Sequence, residues 1–593
     1  MVELTDSAAA SFIADDASEI VFPPDFDDSY PLFAGVSGDD GGIYRVDSDG
    51  SQRLDDIEVN IASLDGTGTA ADFRLVAGER DRGQVWYSRD GGESWEEAAK
   101  PPSGERINKV IFAGSDGTAA YAATSGVDSA VSITSDGGGT WNQVGLIDTR
   151  IDTLLDLGVS PEYHDDGTLF LLTWGDDHSL WRTQDSAASW ERVFTSSLAE
   201  VDSLSRVAVS PDYDGDKQCL FLTGNSNGHP AIWRSRDNGR TFSYRAAAPQ
   251  AIDAWKVVDD KTLLIGGYED GQGVIYISDN GGRGYETTTT AGSSPPSSIA
   301  VSPDYADDGV ILVGNTSGGV YLSTDRGLSF EPLPWDDASP LSGALIIAFA
   351  PEFSGEGWVF AASDSAGAGI HRFDTGDGER WEQLAHPENC RFGKITLSAD
   401  GTLYAADFTA DGGLERCLNP GYSLNPTFET VTGGLEDGAT LVGLWQSGQQ
   451  LWATDTANIA LLTLYDSLTE PVRLDQPADG YPGTGILDGT SVRDIELDWD
   501  TLSGATEYQW QLDADTDFDS VLYEGNTAAS AAQPPALEPA MTYYWRVRAS
   551  EPVLSPWSEK WSFTTAMGSA ASGPRLITPE PGEQGVSTRP VFQ

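Results

Sequence analysis

An all-β fold is predicted by three observations. A turn motif recurs every 43 to 52 residues through most of the first 475 positions, no helix-period hydrophobic pattern occurs, and the 593 residues include 66 Gly and 18 Trp, a composition suited to tight turns and strands. The motif is Ser/Thr-x-Asp-x-Gly-x-x-aromatic. It reads Ser88, Asp90, Gly92 and Trp95, then Thr134, Asp136, Gly138 and Trp141, then Ser235, Asp237, Gly239 and Phe242, then Ser323, Asp325, Gly327 and Phe330. Worn copies keep the spacing and lose a letter: Thr183, Asp185, Ala187 and Trp190 lack the Gly, Ser278, Asn280, Gly282 and Tyr285 carry Asn for Asp, and a last copy ends at Trp381. The spacing describes a hairpin. The Asp carboxylate accepts turn N–H groups, the Gly supplies a positive φ, and the aromatic starts the returning strand. Such a residue set staples a turn and performs no chemistry.

A second element precedes several copies: Pro24-Asp25-Phe26, Pro161-Glu162-Tyr163, Pro211-Asp212-Tyr213, Pro303-Asp304-Tyr305 and Pro351-Glu352-Phe353, each followed by an acidic turn and an apolar run such as Val310 to Val313. Each unit therefore reads as four short strands. A four-stranded sheet of that kind hides its faces only against neighbours, so the units are expected to close into a propeller. Unit starts fall near 20, 58, 106, 151, 203, 252, 297, 343, 392 and 439, which predicts ten blades over residues 20–475 behind an extension at 1–19.

The turns resemble the Asp boxes, or bacterial neuraminidase repeats, of sialidases, some xyloglucanases, the photosystem II assembly propellers and the sortilin-type receptors. A count of ten is most similar to the sortilin-type propeller, which implies a ligand-binding rather than catalytic domain. The cysteine-rich module that follows that propeller has no counterpart, since no cysteine lies beyond Cys417.

After a Pro/Gly/Asp linker at 476–485 the pattern becomes alternating: Ile495 to Trp499, Tyr508 to Leu512 and Tyr543 to Val547. With Leu537-Glu538-Pro539 ahead of Tyr543, and Trp557 and Trp561 to Thr565 closing, residues 486–566 resemble a fibronectin type III module. Met541 departs from the small polar residue common there. A Ser/Gly-rich linker (567–573) then leads into 574–593, which reads as the start of a second, incomplete module, so the natural protein is expected to continue.

The 93 acidic and 34 basic residues give a formal charge of −59, which excludes a general nucleic-acid binder. Only seven of the cations are Lys. No apolar window is long enough to span a membrane, and the opening twenty residues lack the basic and apolar regions of a signal peptide. Three cysteines, Cys219, Cys390 and Cys417, are too few for a disulfide framework, and a bridge between the last two stays open.

Catalytic patterns are weak. Gly224-Asn-Ser226-Asn-Gly228 beside His229 matches a nucleophile elbow in letters, but strands flank it on both sides, which favours a hairpin. Sialidase chemistry would require an arginine cluster with Tyr, Glu and an acid, and no Arg-Ile-Pro setting occurs. Glycosidases need two carboxylates about 5–10 Å apart, and no pair stands out among so many acids. His164, His178, His229, His371 and His386 never fall at ligand spacing. Asp513, Asp515, Asp517 and Asp519 begin like an EF-hand loop but lack its Gly and closing Glu.

Two binding expectations remain. Asp27-Asp28, Asp165-Asp166, Asp214 with Asp216, and Asp307-Asp308 recur at one place in four units and offer oxygen ligands to calcium, against the plainer reading of solvated turns. The loops joining second and third strands carry Asp39, Asp40, Glu79, Asp81, Asp128, Asp176, Asp177, Glu269 and Asp270, with Trp174 and Tyr268 as stacking surfaces, so that face is expected to be anionic and to suit a cationic peptide or a sugar. The functional expectation is a non-catalytic, extracellular or cell-surface scaffold serving adhesion or a surface-layer coat. Its expected partners are other copies of itself, other surface proteins, glycans or cationic peptides. The alternatives are a propeller glycoside hydrolase and a sortilin-like peptide receptor.

Overall fold

A computed structural model of the chain describes residues 17–567 and 584, apart from 24–30, 48–49, 55–56, 147–149, 286, 335–340, 385–388, 419, 422–425 and 427. Two compact units result: residues 1–415 with 420–425 and 434–464, and residues 465–593 with 416–419 and 426–433.

Ten antiparallel sheets follow one another among the described residues: sheet 1 (17–53), sheet 2 (61–97), sheet 3 (106–146), sheet 4 (153–195), sheet 5 (203–246), sheet 6 (254–290), sheet 7 (296–332), sheet 8 (345–383), sheet 9 (392–431) and sheet 10 (441–465). Nine hold four strands in sequence order and the tenth holds three. The second strands of sheets 7 and 9, Ile311–Asn315 and Leu403–Asp407, are buried at every position. A continuous apolar run is what a strand needs when sheets cover both of its faces.

The Asp-turn aromatics decide which sheet each one covers. Trp95 of sheet 2 lies against Phe33 of sheet 1, with ring centroids 6.4 Å apart. Trp141 of sheet 3 joins Val76 and Tyr87 of sheet 2, and Phe242 of sheet 5 sits 4.5 Å from Phe194 of sheet 4. Tyr285 rests on a cluster with Phe221 of sheet 5, and Phe330 on one with Ile275 of sheet 6. The Trp381 indole of sheet 8 donates to Leu333 O, just past sheet 7, at 3.0 Å. In each case the partner precedes in sequence.

Trp190 of sheet 4 breaks the rule. It shares a cluster with Leu157, Leu169 and Trp452, the last from sheet 10. Tyr163 meets Trp452 edge-on at 4.6 Å, and His164 Nε2 lies 3.2 Å from Ser447 O. Sheet 10 therefore closes on sheet 4, and sheets 4 to 10 form a ring of seven. The ring is a β-propeller.

This corrects the expectation of one ten-bladed wheel. Counting repeats finds the sheets, but each sheet has only two faces, and those of sheet 4 are taken by sheets 5 and 10. Sheets 1 to 3 instead form a stack. Phe33 and Ile43 pack on Leu75 and Ala77 of sheet 2, and sheet 2 packs on Val110 and Ala122 of sheet 3. Sheet 3 continues sheet 4 edge to edge through Gln143 opposite Arg192. On sheet 3, Ile111 and Tyr121 sit directly opposite one another across two strands and stay about half exposed.

In the second unit, two sheets face each other across a shared core. One runs Leu474–Gln476, Leu497–Trp499, Ala531–Ala532; the other runs Tyr481–Thr484, Trp561–Thr565, Thr542–Glu551, Glu507–Asp513, Tyr523–Thr527. Trp499 and Leu497 meet Leu512, Trp545, Val547 and Phe563. The expected linker at 476–485 is in fact partly strand, because Tyr481–Thr484 pairs in parallel with the closing strand. Its Pro and Gly fit an edge position, where a missing donor costs little. Residues 568–583 and 585–593, which carry most of the expected second linker and the incomplete module, lie outside the described residues.

Candidate functional site

The Asp turns are built alike in every clear copy. Ser88 Oγ donates to Asp90 Oδ1 at 2.9 Å and accepts from Gly92 N at 2.9 Å, while Ser94 N donates to Asp90 Oδ1 at 2.9 Å. The same closure recurs at Thr134 and Asp136, Thr183 and Asp185, Ser235 and Asp237, and Ser323 and Asp325. Gly138 takes a φ of +112°, and a Cβ there would stand 2.7 Å from Tyr87 Cβ of the sheet below. At Ala187 the turn accepts a φ of +69° without glycine.

Burial pushes the Asp136 carboxyl up, but the Thr140 N–H and hydroxyl and the Thr134 hydroxyl outweigh it and hold the group below the ordinary carboxylate range. Hydroxyls and N–H groups of Ser94 and Ser329 do the same for Asp90 and Asp325. A folded value below the unfolded one gives stability that is full above about pH 4 and fades as pH falls through the folded value. We expect Asp136→Ala to cost about 1–3 kcal/mol at neutral pH in urea unfolding, and the loss to shrink on acidification.

One carboxylate of each described acidic turn is consumed in the same way. Asp166 accepts from Ser160 Oγ at 2.7 Å and Thr168 N at 2.7 Å, and Asp308 accepts from Ser302 Oγ at 2.5 Å and Val310 N at 2.9 Å. Asp214 takes the N–H groups of Asp216 and Lys217. Asp165 and Asp307 lie in one-turn helices, Tyr163–Asp166 and Tyr305–Asp308. Asp27 and Asp28 fall outside the described residues. Among those described, no group of three or more His, Cys, Asp or Glu side chains could hold a metal ion. The three cysteines are buried and form no disulfide with one another. Gly224 to Gly228 is a strand end and a two-residue hairpin turn at Asn227-Gly228, with positive φ at both.

Of the expected ligand face, Trp174 ends the second strand of sheet 4, Tyr268 is one residue from the end of that of sheet 6, and they are 43% and 44% exposed. Asp270, with φ +51°, makes a tight turn with Gly271, and Asp176 lies in the loop after Trp174. Asp177 has company that sequence spacing did not reveal. Its carboxyl lies near enough to Asp128 of sheet 3 to raise that group, and Ser196 Oγ donates to it at 3.1 Å. Arg192 Nη1 stands 3.5 Å from Asp128 Oδ2. Burial and the Asp177 charge push the Asp128 carboxyl up against the pull of Arg192.

These groups line a cavity of about 470 Å³ where sheets 2, 3 and 4 meet, walled by Pro101, Pro102, Trp141, Phe194 and Lys100. The Lys100 ammonium donates to Asn142 Oδ1 and to Val193 O (2.8 Å), so one side chain from the end of sheet 2 ties sheets 3 and 4. Burial, with the nearby Arg182 charge, pushes its amine down to about 7. The unfolded chain then holds this proton up to about pH 10.5, so stability should rise with pH between about 7 and about 10.5. In Lys100→Met that part of the slope, at most one proton per chain, should vanish from denaturation curves measured across the range. The volume suits one small polar ligand, and the site offers a carboxyl pair, an arginine and apolar walls.

No family model matches the sequence, and no curated protein matches it. Similar solved structures include a chain of a mitotic checkpoint complex, at 14% identity and TM-score 0.40 over 54% of this chain and 92% of that one. Another is YCF48 from Cyanidioschyzon merolae, at 14% identity and TM-score 0.38 over 54% of this chain and 98% of that one.

Proposed function

We propose that this protein is a non-catalytic, cell-surface or secreted scaffold, in which a propeller of Asp-box repeats serves as an interaction platform joined to fibronectin type III-like modules. The observation that carries this reading is the fate of the repeated polar residues. The Asp turns, and one carboxylate of each described acidic turn, are spent on their own serines, threonines and backbone N–H groups. The repeat thus builds a frame, and recognition is left to the loops between strands. The net charge of −59 favours cationic partners and solvated contacts with other copies or other surface proteins. Calcium bridging between copies is part of the same reading, and dialysis against a chelator should then reduce particle size. The two sheets over a Trp-rich core, with a parallel edge strand, support the fibronectin type III-like assignment.

A glycan- or peptide-binding role for the propeller is favoured by the exposed Trp174 and Tyr268 rings beside acidic loops. Electron cryotomography of the native particle on its cell envelope tests the scaffold reading: a regular coat or fibre is expected. A freely diffusing protein that releases reducing ends from a polysaccharide panel overturns it.

A further inference from the structure

Arginines on third strands recur beneath the turn of the following sheet. Arg182 of sheet 4 donates from Nη1 to Asn238 O, in the Asp turn of sheet 5, and from Nε to Glu191 Oε1 at 2.9 Å. Glu191 is the residue directly opposite it on the fourth strand. Arg372 of sheet 8 repeats the arrangement, with Pro420 O of sheet 9 at 2.6 Å and the opposite residue, Glu382, at 3.0 Å. Both arginines are buried, and each has a carboxylate to neutralise it.

Sheet 5 keeps the arginine and lacks the acid. Arg234 is 5% exposed, on the strand His229–Ser235, and the residue opposite it is Ser243, whose hydroxyl is spent on Arg234 O at 3.0 Å. The turn of sheet 6 lies against it: a Cβ on Gly281 would stand 2.6 Å from Arg234 Nη1. Arg234 Nε donates to Cys219 Sγ at 3.2 Å, while its Nη groups have no partner and neither is sealed from solvent. Arg245 is opposite Ile232 and so shares a face with Arg234. Its Nη1 donates to Tyr244 O at 2.6 Å, its Nε is buried without a partner, and a Cβ on Gly282 would stand 3.8 Å from its Cβ.

The nearby acids do not compensate. Asp237 is held by Ser235 and Thr241 in its own turn, and Asp259 by the N–H groups of Lys261 and Thr262. The sheet 6 turn carries Asn280 where the clear copies carry Asp, and Arg283 follows Gly282 there. Among the described residues no carboxylate, Asp260 included, lies within 4.0 Å of Arg234, Arg245 or Arg283. Burial and the charges of Arg283, Arg234 and Arg236 push the Arg245 guanidinium below its ordinary value. A buried guanidinium without a counter-charge is the costly arrangement, and its free edge is the fork that oxyanions fit.

We propose that the seam between sheets 5 and 6, at Arg234 and Arg245 beside the Gly281-Gly282 turn, binds one small oxyanion such as sulfate or phosphate. The site is independent of the scaffold role. The anion takes the place that Glu191 and Glu382 fill in sheets 4 and 8.

The test is isothermal titration calorimetry of the full chain with sodium sulfate against sodium chloride at matched ionic strength, because general screening also acts on so charged a molecule. Saturable sulfate binding near one site per chain is expected. Arg234→Met should weaken it at least about tenfold. Ser243→Glu supplies the acid that the other sheets carry, so it should weaken sulfate binding as strongly and raise the denaturant midpoint measured in chloride. That variant leaves Arg234 on the Phe221 ring, 5.3 Å from its centroid, and decides the matter should Arg234→Met fail to fold. Sulfate indistinguishable from chloride, or a Ser243→Glu protein that binds sulfate like the wild type, overturns the proposal.

Discussion

Trp452→Ala is expected to destabilise the propeller by about 3–5 kcal/mol, more than other single truncations within sheets 4 to 10. Trp452 is 2% exposed and fills the seam where the last sheet meets the first sheet of the ring. Its loss removes the indole's own burial and leaves a cavity that two sheets from opposite ends of the ring must collapse around. The closure itself is tested by a double-mutant cycle. Trp190 and Trp452 should couple by about 0.5–1.5 kcal/mol, while Trp190 and Tyr121 of sheet 3 should be additive. A ten-sheet ring would reverse this pattern, because sheet 3 would then cover Trp190.

Arg416→Ala should cost the second unit about 3–5 kcal/mol. Its guanidinium is 1% exposed and makes a two-pronged ion pair with Asp466, at 2.6 and 3.0 Å, and the carboxylate is equally buried. Leu554 O and Leu468 O accept further donors at 2.6 and 3.2 Å, and Glu429 Oε2 accepts from Nη1 at 3.3 Å. Truncation strands Asp466 without a counter-charge, which is the costly way to break a buried pair. The double variant Arg416→Leu, Asp466→Leu should recover most of the loss, since the fully buried carboxylate is gone and Glu429, 21% exposed, still accepts the Leu554 N–H. Chemical unfolding monitored by the Trp signal of this unit reads both, and a single variant with wild-type stability would show that water reaches the pair.

How much was legible in the sequence follows from which interactions are local. The Asp turns close within eight residues, so Ser88 to Trp95 announces its own hairpin and the unit starts fall beside the observed sheets. Ring closure is non-local: Tyr163 meets Trp452, and nothing near either residue encodes the meeting. Spacing could count sheets but could not choose between sheet 3 and sheet 10 as the neighbour of sheet 4. The strand at Tyr481–Thr484 was hidden for a different reason, since Pro482 and two glycines mimic a linker and only its parallel partner, Trp561–Thr565, makes it a strand.

The candidate sites divide in the same way. Asp128 and Asp177 were each visible as loop acids, but their proximity, and the presence of Lys100 and Arg192 beside them, depends on an edge-to-edge junction that periodicity does not report. The scarcity of lysine was the one available signal. Lys100 stands out in so acidic a chain and sits where sheets 2, 3 and 4 converge rather than on a solvated loop.

The edge junction between sheets 3 and 4 has a mechanical consequence. A tensile load applied near residue 17 reaches three sheets whose end is not locked into a circle, and each holds mainly to its neighbour. In single-molecule stretching these should peel off in succession, each rupture adding about 150 Å of contour for a unit of this length, before the seam at Trp452 fails. A single simultaneous rupture would mean that the stack shares the ring's cooperativity. Successive ruptures would make the stack a shock absorber that lengthens while the wheel behind it keeps its shape.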